Sequence, residues 1–372
     1  MKKLLAIVLA LVLAAGMCSL AYADEYDPEA LSELLCGDDS LVDLIEEAQD
    51  EGELVVYGCC EEPYLAAAAN HFAEITGIKV SYQRLSTGEV QGKIAEENHN
   101  PSADVWFGGT NDPYNESASA GYLMAYEAVN AKNLAKAAYR DADGYWYGIY
   151  KGILGLFVNT DEMARLGLEA PKGWNDLLKE EYKGLIWCSN PNTAGTAKLV
   201  INTMVQLMGH DEAMAYFVEL DKNIAQYTKS GSGPSKNVGT GECVIGIGFL
   251  HDAITQILAG YDNIQLIIPE EGTAYEIGST AIFDGCKHEA AAKLWIEYAL
   301  SPECVELADD VESYQFLVLS NAAQPAALEP FNLDPENVID YDFADAKANT
   351  STYVADYFAA IGAAADSRFK TE

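Results

Sequence analysis

Basic residues are scarce in this chain of 372 residues. It contains 22 lysines and arginines against 58 aspartates and glutamates, which gives a formal net charge of −36. A field of that sign repels nucleic acids and anionic lipid surfaces, so both are poor partners for this protein. The same field attracts cations at long range, and the composition therefore leaves a cationic ligand open.

Long apolar runs are also lacking, except for one at the N-terminus. Two lysines precede the apolar residues 4–15, a stretch too short to span a bilayer. Ala21 and Ala23 are small residues at the positions that a signal peptidase reads. We therefore expect residues 1–23 to be a secretory signal peptide, cleaved after Ala23, and the mature protein to be periplasmic.

Loss of this segment changes the charge and leaves one alternative open. The mature chain has 349 residues (372 − 23), with 20 basic residues (22 − 2) against 58 acidic ones, a charge of −38. Attachment of a lipid at Cys18 is the less favoured alternative, because Met17 stands where a small residue is expected.

Zinc patterns and the common catalytic motifs are missing as well. Removal of the signal peptide leaves seven cysteines, and an odd number in an oxidising compartment leaves at least one thiol free. The sequence has no Cys-x-x-Cys pair, no His-Glu-x-x-His, no Gly-x-Ser-x-Gly, no phosphate-binding loop and no dinucleotide fingerprint. We expect a binding protein without a cofactor or a resident metal rather than an enzyme.

Strands alternate with helices along most of the chain and predict an α/β fold. An acidic leader helix is expected in residues 24–52, followed by strand–helix units with a parallel sheet in residues 53–107. A second α/β block covers residues 152–268, and the last third is mainly helical. A mature chain of this length suggests two domains. Because no flexible linker separates the blocks, we expect two lobes tied by crossing strands.

Four loops at the ends of predicted strands are rich in Ser, Thr and Gly. Each places hydroxyl groups and free amides at the start of a helix, where the helix dipole favours an anion. A helix cap or turn alone could explain any one of them, but four such loops in two blocks favour a ligand cleft. The candidate residues of these loops are Ser86, Thr87, Gly109, Thr110, Thr193, Gly195, Thr196, Ser230, Ser232 and Gly233.

Four further side chains are candidates for the same cleft. His251 and Asp252 follow the predicted strand that ends at Phe249, and Glu276 lies downstream. These three could bind ligand hydroxyl groups, whereas the alternative for the His-Asp pair is an ordinary surface turn. Cys59 ends the first predicted strand and could line the cleft, or it could be a buried, unreactive thiol.

Six runs of the sequence, in this order, resemble the extracellular solute-binding proteins of ABC importers. They are residues 54–58, 71–80, 84–89, 103–110, 152–161 and 246–252. The resemblance covers most of residues 53–325. It implies a two-lobe periplasmic binding protein of type II, a flytrap with crossing strands as its hinge, which delivers a small-molecule ligand to a membrane permease.

The resemblance also implies how the chain divides. We predict that lobe 1 comprises residues 24–150 and 280–372, and that lobe 2 comprises residues 151–279. The strands that cross between the lobes are expected near residues 148–158 and 272–284. We expect a monomer that does not bind nucleic acid.

Within that family the chain is similar to the branch that binds ferric iron, hexose phosphates and phosphonates. Hexose-phosphate members hold the sugar with a His-Asp pair and a downstream Glu, which match His251, Asp252 and Glu276, and the four loops would hold the phosphate. Iron members have adjacent tyrosines near this position, and no Tyr-Tyr occurs here. We therefore expect a sugar phosphate or phosphonate. Ferric iron or an organic cation (a polyamine or thiamine) is the alternative, and a secreted hydrolase is a remote one.

Overall fold

One continuous set of paired strands runs through the molecule. The computed structural model of the protein describes residues 26–362 and 367–369, so the predicted signal peptide lies outside the described residues. The strands are β1 (Glu53–Gly58), β2 (Lys79–Arg84), β3 (Val105–Thr110), β4 (Leu123–Met124), β5 (Tyr147–Asn159), β6 (Ile186–Ser189), β7 (Ile224–Thr228), β8 (Ile245–Phe249), β9 (Ile264–Ile267), β10 (Tyr275–Phe283) and β11 (Phe316–Leu317).

Helices cover these strands, as the alternating pattern predicts. The α-helices are α1 (Pro28–Cys36), α2 (Val42–Glu51), α3 (Glu62–Thr76), α4 (Thr87–Glu97), α5 (Asn111–Ser119), α6 (Thr160–Leu166), α7 (Gly195–Met208), α8 (His210–Asp221), α9 (Gly233–Val238), α10 (Leu250–Leu258), α11 (Glu289–Ala299), α12 (Pro302–Val305), α13 (Leu307–Asp310) and α14 (Phe343–Ala360). Short 3₁₀ turns lie at Val129–Asn133, Ala137–Tyr139, Asn175–Leu178, Glu180–Tyr182, Ala326–Phe331 and Ser367–Phe369.

The α/β fold class is confirmed. The acidic leader forms two helices instead of one, because Gly37 ends α1 in the left-handed conformation (φ 79°).

Two long strands connect the two halves of the sheet. The strand order is β2-β1-β3-β10-β5-β8-β6-β7, so β10 and β5 lie side by side at the centre. They are antiparallel, with Glu276 opposite Gly152 and Ile277 opposite Lys151. β10 pairs with β3 on one side, while β5 continues past the pair to β8 on the other. The predicted crossing strands are therefore present near both expected positions.

Each half of the sheet has its own buried apolar core. In the first half, Trp295 of α11 contacts Phe72 and Phe107, with ring centroids 5.2 Å apart in both pairs. In the second half, Trp174 and Met204 are among the fully buried residues. These cores keep the two sets of strands rigid, so the loops at their ends are held in place.

The C-terminal helix α14 packs against the second core. Ala346 and Tyr357 are buried in the same apolar cluster as Met204 of α7, and Phe217 of α8 contacts Tyr357 with ring centroids 5.1 Å apart. The predicted division had placed residues 280–372 wholly with the first half. The lobe boundaries remain a prediction. The apolar side chains of α14 contact the core of the other half.

Asp104 fixes the start of β3, the strand that leads to Gly109 and Thr110. Its carboxylate is buried and accepts hydrogen bonds from the backbone amides of Val55 (2.8 Å), Lys287 (3.0 Å) and His288 (3.1 Å). The His288 ring lies 2.9 Å from the same group. One side chain therefore joins β1, β3 and the approach to α11.

We expect Asp104→Ala to lower the free energy of unfolding by about 3 kcal/mol, because three backbone amides lose a charged acceptor. Urea unfolding followed by circular dichroism measures this. Asp310→Ala, a change at an exposed position of α13, is the control and should alter stability by less than about 0.5 kcal/mol. Equal midpoints for the two variants would contradict this role of Asp104.

Candidate functional site

A cleft lies where the carboxyl ends of the two sets of parallel strands face each other. β1, β2 and β3 are parallel in one half, and β6, β7 and β8 are parallel in the other. The loops after all six strands contribute to the cleft. It encloses about 480 Å³, a volume that includes space open to solvent.

Most of the predicted site residues lie together in this cleft. The predicted residues that line it are Cys59, Ser86, Thr87, Gly109, Thr110, Gly195, Thr196, Ser230, Ser232, His251, Asp252 and Glu276. Other residues that line it are Cys60, Glu61, Arg84, Tyr150, Ala194, Gly231, Phe249 and Gln315. What each of them binds stays a prediction.

One end of the cleft presents hydrogen-bond donors. The backbone amides of Thr196, Gly231 and Ser232 have no acceptor among the described residues. The hydroxyl of Thr110 is buried and also lacks a partner there. Thr196 lies in the first turn of α7, so the dipole of that helix adds positive potential at this point. We call these four residues the donor cradle, and its chemistry suits an anion.

Glycines allow the walls of the donor cradle to approach each other. A Cβ atom on Gly195 would lie 2.0 Å from Thr110 Oγ1 and 2.9 Å from Thr87 Oγ1. The amide of Gly195 donates to Thr87 Oγ1 at 2.7 Å across the cleft. A Cβ on Gly231 would lie 2.1 Å from Thr196 Oγ1. A side chain at either glycine would therefore force these hydroxyl groups apart.

Arg84 is the cation beside the donor cradle. It ends β2, and its Nη2 donates to Ser230 Oγ at 3.3 Å in the opposite half. Its Nε donates to the carbonyl of Cys60 at 3.3 Å, and Glu61 Oε1 lies 3.8 Å from Nη2. The sequence signal for Arg84 was its position at a strand end, two residues before Ser86.

Ser86 and Glu89 form the predicted capping box at the start of α4. The amide of Ser86 donates to Glu89 Oε2 at 3.0 Å. This fixes the first turn of α4, so Thr87 is held against Gly195 of the other half. The capping box therefore positions one wall of the cleft.

His251, Asp252 and Glu276 are a second group of polar side chains in the cleft. His251 Nε2 lies 3.5 Å from Asp252 Oδ1, and the ring stacks on Phe249 with centroids 5.5 Å apart. His251 Nδ1 has no hydrogen-bond partner in the described part of the chain. A Cβ on Gly152 would lie 2.7 Å from that nitrogen and 2.9 Å from Glu276 Oε1. A glycine on β5 thus lets His251 and Glu276 approach each other.

Burial keeps these three side chains largely uncharged. It lowers the pKa of His251 to about 4. Burial, reinforced by the charge of Glu61, raises the pKa of Asp252 to about 8. Burial and the nearby Asp252 raise the pKa of Glu276 well above its usual range. Protonated carboxyl groups both donate and accept hydrogen bonds, so the part of the cleft that these three side chains line suits hydroxyl groups.

Glu61 is charged, unlike the other two carboxyl groups. Burial alone would raise its pKa, but Lys236, Ser232 and Arg84 hold the pKa below its usual range. Glu61 Oε2 lies 2.6 Å from Lys236 Nζ of α9. This ion pair joins the segment after β1 to α9.

Cys59 and Tyr150 form part of the cleft wall near Gly109. The indole Nε1 of Trp106 donates to Cys59 Sγ at 3.1 Å, and burial raises the pKa of the Cys59 thiol to about 12. The thiol is therefore protonated and a weak nucleophile at neutral pH. The amide of Gly109 donates to the hydroxyl of Tyr150 at 2.9 Å, so that amide is not free for a ligand.

Thr193 and Gly233 lie behind the cleft wall, which corrects their predicted place at the ligand. Thr193 Oγ1 donates to the carbonyl of Lys229 at 2.7 Å, and the carbonyl of Thr193 accepts from the amide of Gly88 at 2.9 Å. The amide of Gly233 donates to the carbonyl of Ser230 at 3.1 Å. Their polar groups are already used to hold the two loops in shape.

Neither a metal cluster nor a membrane span is found in the part of the chain that the structure describes. No group of three or more His, Cys, Asp or Glu side chains in residues 26–362 and 367–369 is arranged to hold a metal ion. No helix within those ranges is both long and apolar enough to cross a bilayer. The seven cysteines from Cys36 to Cys304 are free thiols.

Comparisons with known proteins give consistent matches. Residues 100–347 match the family described as bacterial extracellular solute-binding protein. An uncharacterized protein of Haemophilus influenzae is 39% identical over 302 residues, covering 80% of this chain and 86% of that one. A Salmonella paratyphi A periplasmic protein, provisionally named for binding 2-aminoethylphosphonate, is 29% identical over 241 residues, covering 62% of this chain and 67% of that one.

A solved structure matches both the fold and the sequence. It is the periplasmic binding protein AfuA from Actinobacillus pleuropneumoniae with fructose-6-phosphate bound. It is 35% identical, with a TM-score of 0.80, over 84% of this chain and 99% of that one. The two-lobe architecture expected from the sequence is therefore confirmed.

We expect the charge state of Asp252 to make stability depend on pH. Its pKa is about 8 in the folded protein and about 4 in an unfolded chain. The folded state binds more protons between these values, so the contribution of Asp252 falls as the pH rises. His251 acts oppositely, since its pKa falls from about 6.5 to about 4, and its effect ends near pH 6.5.

The melting temperature of the wild type should therefore fall relative to that of Asp252→Asn between about pH 6.5 and 8. Differential scanning fluorimetry over this range measures the difference. Asp310→Asn at an exposed position is the control and should follow the wild type. A difference between wild type and Asp252→Asn that does not change with pH would show that Asp252 is ionised throughout.

Proposed function

The chain belongs to the family of bacterial extracellular solute-binding proteins, and we propose that it binds a sugar monophosphate in its cleft for uptake by an ABC importer. In this proposal the signal peptide is cleaved after Ala23, and the mature protein acts as a periplasmic monomer that docks on a membrane permease. The ligand bridges the two halves, and the contacts that it makes with both of them favour the closed state.

The observation that carries the proposal is that one cleft combines two different kinds of group. The donor cradle offers free amides, a free hydroxyl and the neighbouring Arg84, which together suit a phosphate group. His251, Asp252 and Glu276 are present in largely neutral form, which suits the hydroxyl groups of a sugar. A sugar monophosphate has both kinds of group on one small molecule.

The negative charge of the whole protein does not oppose this ligand at contact distance. Charges on the surface are screened beyond about 8 Å at physiological salt. The donor cradle acts through hydrogen bonds, and Arg84 is within hydrogen-bond distance of Ser230. Association with an anion is slowed by the overall field, while the bound state is determined by local donors.

The likeness to AfuA supports the same ligand class. That protein was solved with fructose-6-phosphate bound, and it matches this chain over most of its length. The residue types expected for the sugar, at His251, Asp252 and Glu276, line the cleft of this chain. Titration with different sugar phosphates determines which sugar binds.

A zwitterionic aminophosphonate is the second candidate. Three carboxyl groups, those of Glu61, Asp252 and Glu276, line the cleft together with the donor cradle. An ammonium group placed among them would stabilise their ionised forms and lower the raised pKa values of Asp252 and Glu276. The likeness to the Salmonella paratyphi A protein named for 2-aminoethylphosphonate supports this candidate.

We propose binding without catalysis. The Cys59 thiol beside the cleft is protonated because burial raises its pKa to about 12. His251 Nε2 is 3.5 Å from Asp252, and burial lowers its pKa to about 4. A neutral histidine without a nearby activated nucleophile does not suit ester hydrolysis. Release of inorganic phosphate from a bound sugar phosphate would contradict this part of the proposal.

Isothermal titration calorimetry of the mature protein tests the ligand class. The panel contains glucose 6-phosphate, fructose 6-phosphate, 2-aminoethylphosphonate, inorganic phosphate, ferric citrate, spermidine and thiamine. We expect binding of at least one sugar phosphate. Gly195→Ala should weaken that binding at least tenfold, because the added Cβ would lie 2.0 Å from Thr110 Oγ1 in the donor cradle.

Gly92→Ala is the matched control for Gly195→Ala. Its added Cβ meets nothing within 4 Å on helix α4, so affinity should equal that of the wild type. Binding of 2-aminoethylphosphonate alone would favour the second candidate. Binding of ferric citrate, spermidine or thiamine alone would overturn the proposal of an anionic ligand.

A further inference from the structure

Beside the donor cradle the two halves of the protein contact each other directly. The amide of Gly88 in α4 donates to the carbonyl of Thr193 at 2.9 Å, and the amide of Gly195 donates to Thr87 Oγ1 at 2.7 Å. α4 follows β2 of the first half, whereas α7 begins at Gly195 after β6 of the second half. Both hydrogen bonds therefore cross from one half to the other.

A buried network of polar side chains extends this contact. Asp112 lies in the first turn of α5 and is 2% exposed, and Asn202 on α7 is fully buried. Asn202 Nδ2 donates to Asp112 Oδ2 at 3.0 Å and to Thr350 Oγ1 of α14 at 2.8 Å. The hydroxyl of Tyr341 donates to the same Asp112 oxygen at 2.9 Å. One carboxylate oxygen thus accepts from two side chains.

The two sides of this network are held by different cores. Tyr114 of α5 stacks on Trp106 of β3 with ring centroids 4.0 Å apart, which ties α5 to the first half. Leu199 and Met204 of α7 are buried with Tyr341 in the apolar core of the second half. Because each side moves with its own core, separation of the halves would break the network.

A charged cluster lies next to the network and also joins the halves. Lys198 of α7 donates through Nζ to Gln91 Oε1 at 2.7 Å and to Glu116 Oε2 at 3.0 Å. Ser351 of α14 donates to Glu116 Oε1 at 3.0 Å. The side chains of Lys198 and Glu116 are 12% and 16% exposed. Solvent ions screen such a pair less than they screen a pair on the surface.

From this geometry we propose that Asp112, Asn202 and Tyr341 form a latch that holds the two halves in the closed state and positions the donor cradle. Thr110 lies two residues before Asp112, and Thr196 lies six residues before Asn202 on the same helix. The hydrogen bond between Asp112 and Asn202 therefore sets the spacing between a cradle residue of the first half and one of the second.

The latch acts on ligand affinity through the population of the closed state. In an open state its polar groups are hydrated, whereas closure buries them and requires a partner for each. A ligand that binds only the closed state has an apparent affinity proportional to the fraction of closed protein. The latch acts in this way on any ligand of the donor cradle, and only its effect on sugar phosphates rests on the proposed function.

Asp112→Ala tests the latch. In the closed state of this variant the amide of Asn202 and the hydroxyl of Tyr341 lack their shared acceptor, so we expect the protein to open when no ligand is added. Small-angle X-ray scattering of the mature protein should give a larger radius of gyration than for the wild type. Calorimetric titration with glucose 6-phosphate and fructose 6-phosphate should show at least tenfold weaker binding.

Thr203→Val is the matched control. Thr203 is fully buried next to Asn202, and its Oγ1 donates to the carbonyl of Leu199 within α7, so this hydrogen bond lies inside one half. The radius of gyration and the affinity of this variant should equal those of the wild type. Lys198→Met, at a less buried position, is the second test and should change both quantities in the same direction as Asp112→Ala. Circular dichroism establishes that each variant is folded.

The two measurements separate the latch from the proposed function. Equal radii of gyration for the wild type, Asp112→Ala and Lys198→Met would overturn the latch, whatever the ligand. A loss of affinity in Thr203→Val as large as that in Asp112→Ala would also overturn it. Failure of the wild type to bind any sugar phosphate would contradict the proposed function, and the scattering comparison would still decide for or against the latch.

Discussion

The antiparallel pairing of β5 with β10 determines where the chemistry of this protein lies. It places Glu276 opposite Gly152, and the missing side chain at Gly152 leaves room for His251. The same two strands connect the halves of the sheet, so the hinge region and one end of the cleft are built from the same residues. A change in this register by one residue would turn Glu276 away from the cleft.

The hydrogen-bond donors of the cleft favour an anionic ligand, whereas the overall negative charge of the protein disfavours one. The sequence has a formal charge of −36, yet the cleft combines the donor cradle with Arg84 and with two carboxyl groups, those of Asp252 and Glu276, that burial keeps largely protonated. Burial therefore has two effects on the site. It removes negative charge that would repel a phosphate, and it makes each free amide a stronger partner because water no longer competes for it.

Much of the fold and of the candidate site could be predicted from the sequence. Strand–helix alternation gave the α/β class, and Ser, Thr and Gly at strand ends identified residues such as Thr196 and Ser232, because parallel strands end at one edge of a sheet. Thr193 was misplaced since local composition does not tell whether a hydroxyl faces the ligand or the carbonyl of Lys229. Arg84 and Gln315 were missed because their relevance depends on contacts that only the folded chain brings together.

A crystal structure of the mature protein with a bound sugar monophosphate tests the central claim most directly. The claim is that the donor cradle holds the phosphate while His251, Asp252 and Glu276 hold the sugar. The account predicts phosphate oxygens about 3 Å from the amide nitrogens of Thr196, Gly231 and Ser232. A phosphate bound elsewhere, with those amides facing water or the sugar, would contradict it.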